Sequence, residues 1–105
     1  MSREELQKIH NMSIFNGDIV AKSKVCGCFF CGQTFTASEA EFINEASVPP
    51  EHFPFKSQKT AICPYCNIDS VLSDGMNLEI NDKLLDEMHK EFFETFTKGD
   101  DIQAP

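Results

Sequence analysis

Five cysteines in a chain of 105 residues carry most of the chemistry this sequence can offer, and four of them are paired by spacing. The first pair is Cys28-Phe29-Phe30-Cys31, followed by Gly32; the second is Cys63-Pro64-Tyr65-Cys66, followed by Asn67. Two residues between thiols let the chain turn tightly enough for both sulfurs and several backbone N–H groups to face one metal ion. The position after such a knuckle is often left-handed, a conformation glycine adopts at little cost and asparagine tolerates next best. The two knuckles together predict one structural zinc ion held tetrahedrally by Cys28, Cys31, Cys63 and Cys66. Every coordination position is then filled by protein, with none left open for a substrate.

Other readings of the same residues compete with this one. Buried free cysteines pack as small hydrophobes, but that does not account for the paired spacing or for Gly32 and Asn67. Cys-Pro-Tyr-Cys is also the dithiol sequence of glutaredoxins, where it sits between a strand and a helix. Lys59–Ile62 and Ile68–Leu72 would supply those elements. Only 39 residues follow Cys66, however, and the prolines Pro49, Pro50 and Pro54 all lie upstream, so the rest of that fold is missing. Cys26 competes with Cys28 as a ligand but lacks the two-residue spacing to Cys31. His10, His52 and His89 are further candidate ligands, which four well-spaced thiolates make unnecessary.

Composition narrows the function classes. The 41% hydrophobic content, with ten Phe and no Trp, suits a modest core in a single domain spanning 1–105, with 99–105 as a tail. No run of about 18 apolar residues is present for a membrane span, and Ser2-Arg3-Glu4-Glu5 does not read as a secretory signal. A cytoplasmic location, where thiols stay reduced, is the expectation. The net charge is −8; six bases oppose seven acids through Cys66, and three bases oppose ten acids thereafter. A four-thiolate zinc site adds negative charge, so nucleic-acid binding is disfavoured. Lys22, Lys24, Lys56 and Lys59 form the only candidate basic patch, and the simpler reading is solvated lysines near the metal.

The elements that must position the knuckles can be sketched from pattern. Ser2 and Glu5 have capping-box spacing for a first helix that buries Leu6 and Ile9. Asn16-Gly17 interrupts it, and Asp18 opens a second short helix. Val25–Cys28 and Gln33–Phe35 predict a hairpin around the first knuckle. Thr36 or Ser38 is expected to cap a helix over Glu39–Ala46 that offers Phe42 and Ile43 to the core. Ser47–Gln58 reads as a proline-bearing loop tucked down by Phe53 and Phe55. Thr60–Ile62 predicts a strand into the second knuckle, and Asp69–Leu72 a short helix or turn in which Asp69 caps backbone N–H groups. Met76, Leu78 and Ile80 alternate as in a strand. Asn81 or Asp82 caps the clearest helix, whose stripe of Leu84, Leu85, Met88, Phe92, Phe93 and Phe96 covers the core, with His89 at its border and Lys98 near its end.

The 31 residues between Cys31 and Cys63 exceed the spacing of simple ribbons, so the expected fold is α+β: a zinc-ribbon or treble-clef-like core with a helical insertion and terminal helices. Treble clefs include HNH nucleases, but Asp69-Ser70-Val71 stands where their Asp-His pair would be, without the histidine. The runs Cys26-Gly27-Cys28-Phe29-Phe30-Cys31 and Thr60-Ala61-Ile62-Cys63-Pro64-Tyr65-Cys66-Asn67-Ile68-Asp69-Ser70-Val71-Leu72 resemble a family of small bacterial proteins labelled only as cytoplasmic proteins. The likeness extends to Met88-His89-Lys90 and to the region of His10, Asn16 and Ser23; in that family glycine usually stands where this chain has Asn67. It implies a bacterial cytosolic protein and lends no activity. The expected function is a non-catalytic zinc-stabilised binding or adaptor module whose partner is another protein. A thiol-redox or zinc-responsive role for Cys63 and Cys66, or Cys26 and Cys28, and weak nucleic-acid binding are the alternatives.

Overall fold

The computed structural model describes residues 1–94 and shows a small α+β arrangement of three α-helices and two antiparallel sheets among them. Helix α1 (Arg3–His10) begins at the expected capping box. Ser2 Oγ accepts from the Glu5 N–H at 3.2 Å, and Glu5 accepts from the Ser2 N–H at 3.1 Å. One 3-10 turn (Asn11–Ser13) leads to α2 (Gly17–Lys22), which starts at the expected interruption.

Strand β1 (Val25–Cys28) is the centre of the main sheet, flanked by β2 (Thr34–Thr36) and β5 (Val71–Ser73) in the order β2-β1-β5. The smaller sheet pairs β3 (Glu41–Asn44) with β4 (Lys59–Ile62). Helix α3 (Asp82–His89) starts where Asn81 accepts from the Leu84 N–H, and it runs on as one π-type turn over Lys90–Glu94.

The core gathers Leu6 and Ile9 of α1, Val20 of α2, Phe29, Phe35, Val71 and Leu72 of the main sheet and its turn, and Leu84, Leu85 and Met88 of α3. Phe92 and Phe93 pack against it, so the apolar stripe of α3 covers the protein's own interior as expected; Phe96, Lys98 and the 99–105 tail lie outside the described residues. Close approach of α3 to the sheet requires Gly27, because a Cβ there would stand 2.8 Å from Ile80 Cγ2 and 3.0 Å from Leu85 Cδ1. Asn16 ties the two sheets together from a fully buried position. Its side chain accepts from the Ala61 N–H of β4 and donates to the carbonyls of Val71 in β5 and Met12.

Three sequence expectations fail. The Thr36–Glu39 capping box forms, but it closes only one 3-10 turn (Ala37–Glu39) instead of a helix over Glu39–Ala46. The chain then pairs with β4 as β3, whose residues are all exposed, Phe42 and Ile43 included. A β-branched residue beside an aromatic one suits such a ladder at least as well as a helix, so the insertion is a hairpin and not helical. Asp69–Leu72 forms no helix; Val71–Ser73 is drawn into the sheet by pairing with β1. Met76, Leu78 and Ile80 form no strand either, since a 3-10 turn (Asp74–Met76) ends at left-handed Asn77. All three side chains still pack on the core.

Candidate metal centre

Both knuckles are built by the same backbone pattern. In the first, the Gly32 N–H donates to the Cys28 carbonyl at 2.8 Å and the Cys28 N–H to the Gln33 carbonyl at 2.9 Å. In the second, the Asn67 N–H donates to the Cys63 carbonyl at 2.9 Å and the Cys63 N–H to the Ile68 carbonyl at 3.0 Å. The residue four past the first cysteine is left-handed in each, with φ of 83° at Gly32 and 63° at Asn67. The reading of those two positions from sequence therefore holds. Strand pairing brings the knuckles together: Cys28 ends β1, β4 runs into Cys63, and β5 returns to pair with β1, with the Phe29 N–H bonded to the Ser70 carbonyl at 3.0 Å.

The sulfurs of Cys28, Cys31, Cys63 and Cys66 all lie within 4.8 Å of one another. Two approaches cross between knuckles, 3.6 Å for Cys28 to Cys66 and 3.7 Å for Cys31 to Cys63. Thiolates arranged tetrahedrally about 2.3 Å from a zinc ion stand about 3.8 Å apart, so this set fits such an ion closely. A disulfide needs sulfurs about 2.0 Å apart. Four convergent sulfur donors are a ligand set for a soft or borderline metal.

Burial and hydrogen bonding divide the four thiols. Burial pushes the Cys28 thiol well above its ordinary range, against the pull of the Cys31 and Phe30 N–H groups. Burial also raises Cys66. At exposed Cys31 burial acts in the same direction but is outweighed by the Gln33 N–H and by the neighbouring thiols, so its pKa is lowered. The surroundings of Cys31, on the solvent side, thus favour its thiolate, whereas those of Cys28 and Cys66 oppose theirs. A metal ion would supply the positive charge that lets the buried thiols follow.

The remaining candidates stand outside this group. Cys26 is fully buried within β1 and is not among the convergent sulfurs; burial, reinforced by the Asp74 carboxylate, pushes its thiol up to about 11. His10 stacks on Phe92 with ring centres 4.3 Å apart, and His52 sits edge-on to Phe53 at 4.7 Å. His89 Nδ1 lies 3.0 Å from the carbonyl of Phe29, inside the first knuckle, so it bears on the backbone of the metal loop without joining the ligands. Its place on the border of the apolar stripe of α3 was the only sequence signal for that contact.

Asp69 makes no side-chain hydrogen bond among the described residues and faces His10, so it does not cap the turn after the second knuckle. The carboxylate that does bond backbone N–H groups nearby in sequence is Asp74, which accepts from Lys24 and Val25 at the start of β1. Lys56 donates to the carbonyls of Pro50 and Glu51 and shares a cleft with Lys22 and Asp18.

Among the described residues no helix is long and apolar enough to cross a membrane. Comparison with protein-family models, with curated proteins and with solved structures found no match.

Proposed function

We propose that the protein is a zinc-stabilised protein-interaction module of the bacterial cytoplasm, with one structural ion held by Cys28, Cys31, Cys63 and Cys66 and no catalytic step of its own. The observation that carries the zinc assignment is the convergence of four sulfurs at the separation a tetrahedral ion requires. The placement of one knuckle on the β1–β2 hairpin, with the other leading directly into β5, supports a ribbon-like core over a treble clef. Four protein thiolates would fill a tetrahedral shell and leave no position for substrate, which favours a structural role. The bacterial cytosolic setting rests on the resemblance of the knuckle motifs and on the four reduced thiols such a site needs.

Native mass spectrometry of protein purified without added metal or chelator tests this. One zinc per chain and no disulfide are expected, with Cys63→Ser losing the metal and much of the cooperative fold and Cys26→Ala keeping both. Metal-free, well-folded protein with a Cys63–Cys66 disulfide would replace this reading by thiol redox chemistry.

A further inference from the structure

The smaller sheet ends in an unpaired edge whose chemistry is one-sided. In β4 the Ala61 N–H turns away from β3 to Asn16 and the Lys59 N–H turns away to Ser57, while the Glu45 N–H reaches back to the Gln58 carbonyl at 2.7 Å. With the register Phe42↔Ala61 and Asn44↔Lys59, the alternate residues Phe42 and Asn44 must then direct their own N–H and C=O groups outward. No described partner takes them. Glu41, Ile43 and Glu45 share one face of this strand by alternation, and Ile43 is 41% exposed. Neither glutamate is ion-paired among the described residues. Residues 25–55 contain four glutamates and no lysine or arginine. The nearest cation in the sheet is Lys59, one strand in from the edge.

Self-pairing of two copies in the register that would use both Phe42 and Asn44 as partners is opposed by these charges. An antiparallel match centred on Ile43 would set Glu41 against Glu45 twice, and like charges directly opposite one another destabilise a ladder. The same pattern selects for a basic strand. We infer that the free edge of β3 captures an extended segment of a partner protein by strand addition, reading the pattern base–x–aliphatic–x–base against Glu41, Ile43 and Glu45. Backbone bonds to Phe42 and Asn44 supply the attachment and the charged pairs supply the choice of partner. This deepens the interaction-module reading and rests on it.

The test uses the full-length, zinc-loaded protein, labelled for amide NMR, and a capped peptide Thr-Lys-Thr-Val-Thr-Lys-Thr. Binding is expected to shift the Phe42 and Asn44 amides and slow their exchange. A control peptide with Glu in place of Lys should bind about tenfold more weakly, and the Glu41→Lys/Glu45→Lys double variant should reverse that preference. Asn44→Pro removes an outward N–H without touching the β3–β4 ladder and should weaken the peptide about tenfold. Equal affinity for both peptides, or unmoved Phe42 and Asn44 amides, would overturn the assignment. So would concentration-dependent dimerisation that Asn44→Pro abolishes, which would make the edge a contact between copies. Zinc content measured on the same samples separates the two readings: a silent edge on protein holding one zinc per chain refutes strand addition alone.

Discussion

His10 shows how a single side chain can be set by packing and not by the metal. Its ring is half-buried against Phe92 and Phe29, and burial lowers its pKa from the ordinary 6.5, with the Asp69 carboxylate opposing that shift. The folded chain therefore holds a neutral imidazole where the unfolded chain takes up a proton. Its contribution to stability is full above pH 6.5 and is lost as pH falls through the lower folded value. Urea midpoints between about pH 5.5 and 7.5 should thus fall more steeply on acidification in the parent than in His10→Gln; parallel profiles would refute this account. The four metal-ligand candidates were legible at this scale because the knuckle requirement is local. Two thiols two residues apart and a residue tolerant of positive φ can be seen in a few letters. The contact of His89 with the Phe29 carbonyl was not, since it joins residues 60 apart.

At the scale of elements, the packing of α3 on β1 depends on Gly27. Gly27→Ala would drive its Cβ into Ile80 and Leu85, so that those side chains, or α3 with them, must move. A loss of about 1–2 kcal/mol is expected. It should appear as a lower urea midpoint with zinc stoichiometry unchanged, because the knuckle begins one residue later and its hydrogen bonds are untouched. The first and last helices could be read from their caps, where a side chain answers a backbone donor three residues away. β3, β5 and the turn at Asp74–Met76 could not. β5 has only three residues, and what makes it a strand is β1, more than forty residues upstream. Thr36, one of the two residues the sequence offers as a cap there, does cap, but a cap only starts a turn, and packing on one face is what prolongs it into a helix.

Beyond the shared core, the two sheets are joined at the thiol cluster and at Asn16. Asn16→Leu would leave the Ala61 N–H and the Met12 and Val71 carbonyls without their partner in a buried setting between the two sheets. About 3 kcal/mol should be lost, measured by urea unfolding of the zinc-loaded protein; a loss below about 1 kcal/mol would show that the sheets are coupled chiefly by packing. The sheet order β2-β1-β5 also governs how quickly this chain finds its shape. Pairing β1 with β5 asks a bare chain to close a loop of 42 residues, between Cys28 and Val71, before any hydrogen bond rewards it. An ion captured first by both knuckles would already have closed most of that loop, leaving only residues 67–70 between the second knuckle and β5. The metal would then act as a clock as well as a clamp, with refolding faster when it is present from the start than when it is added after collapse.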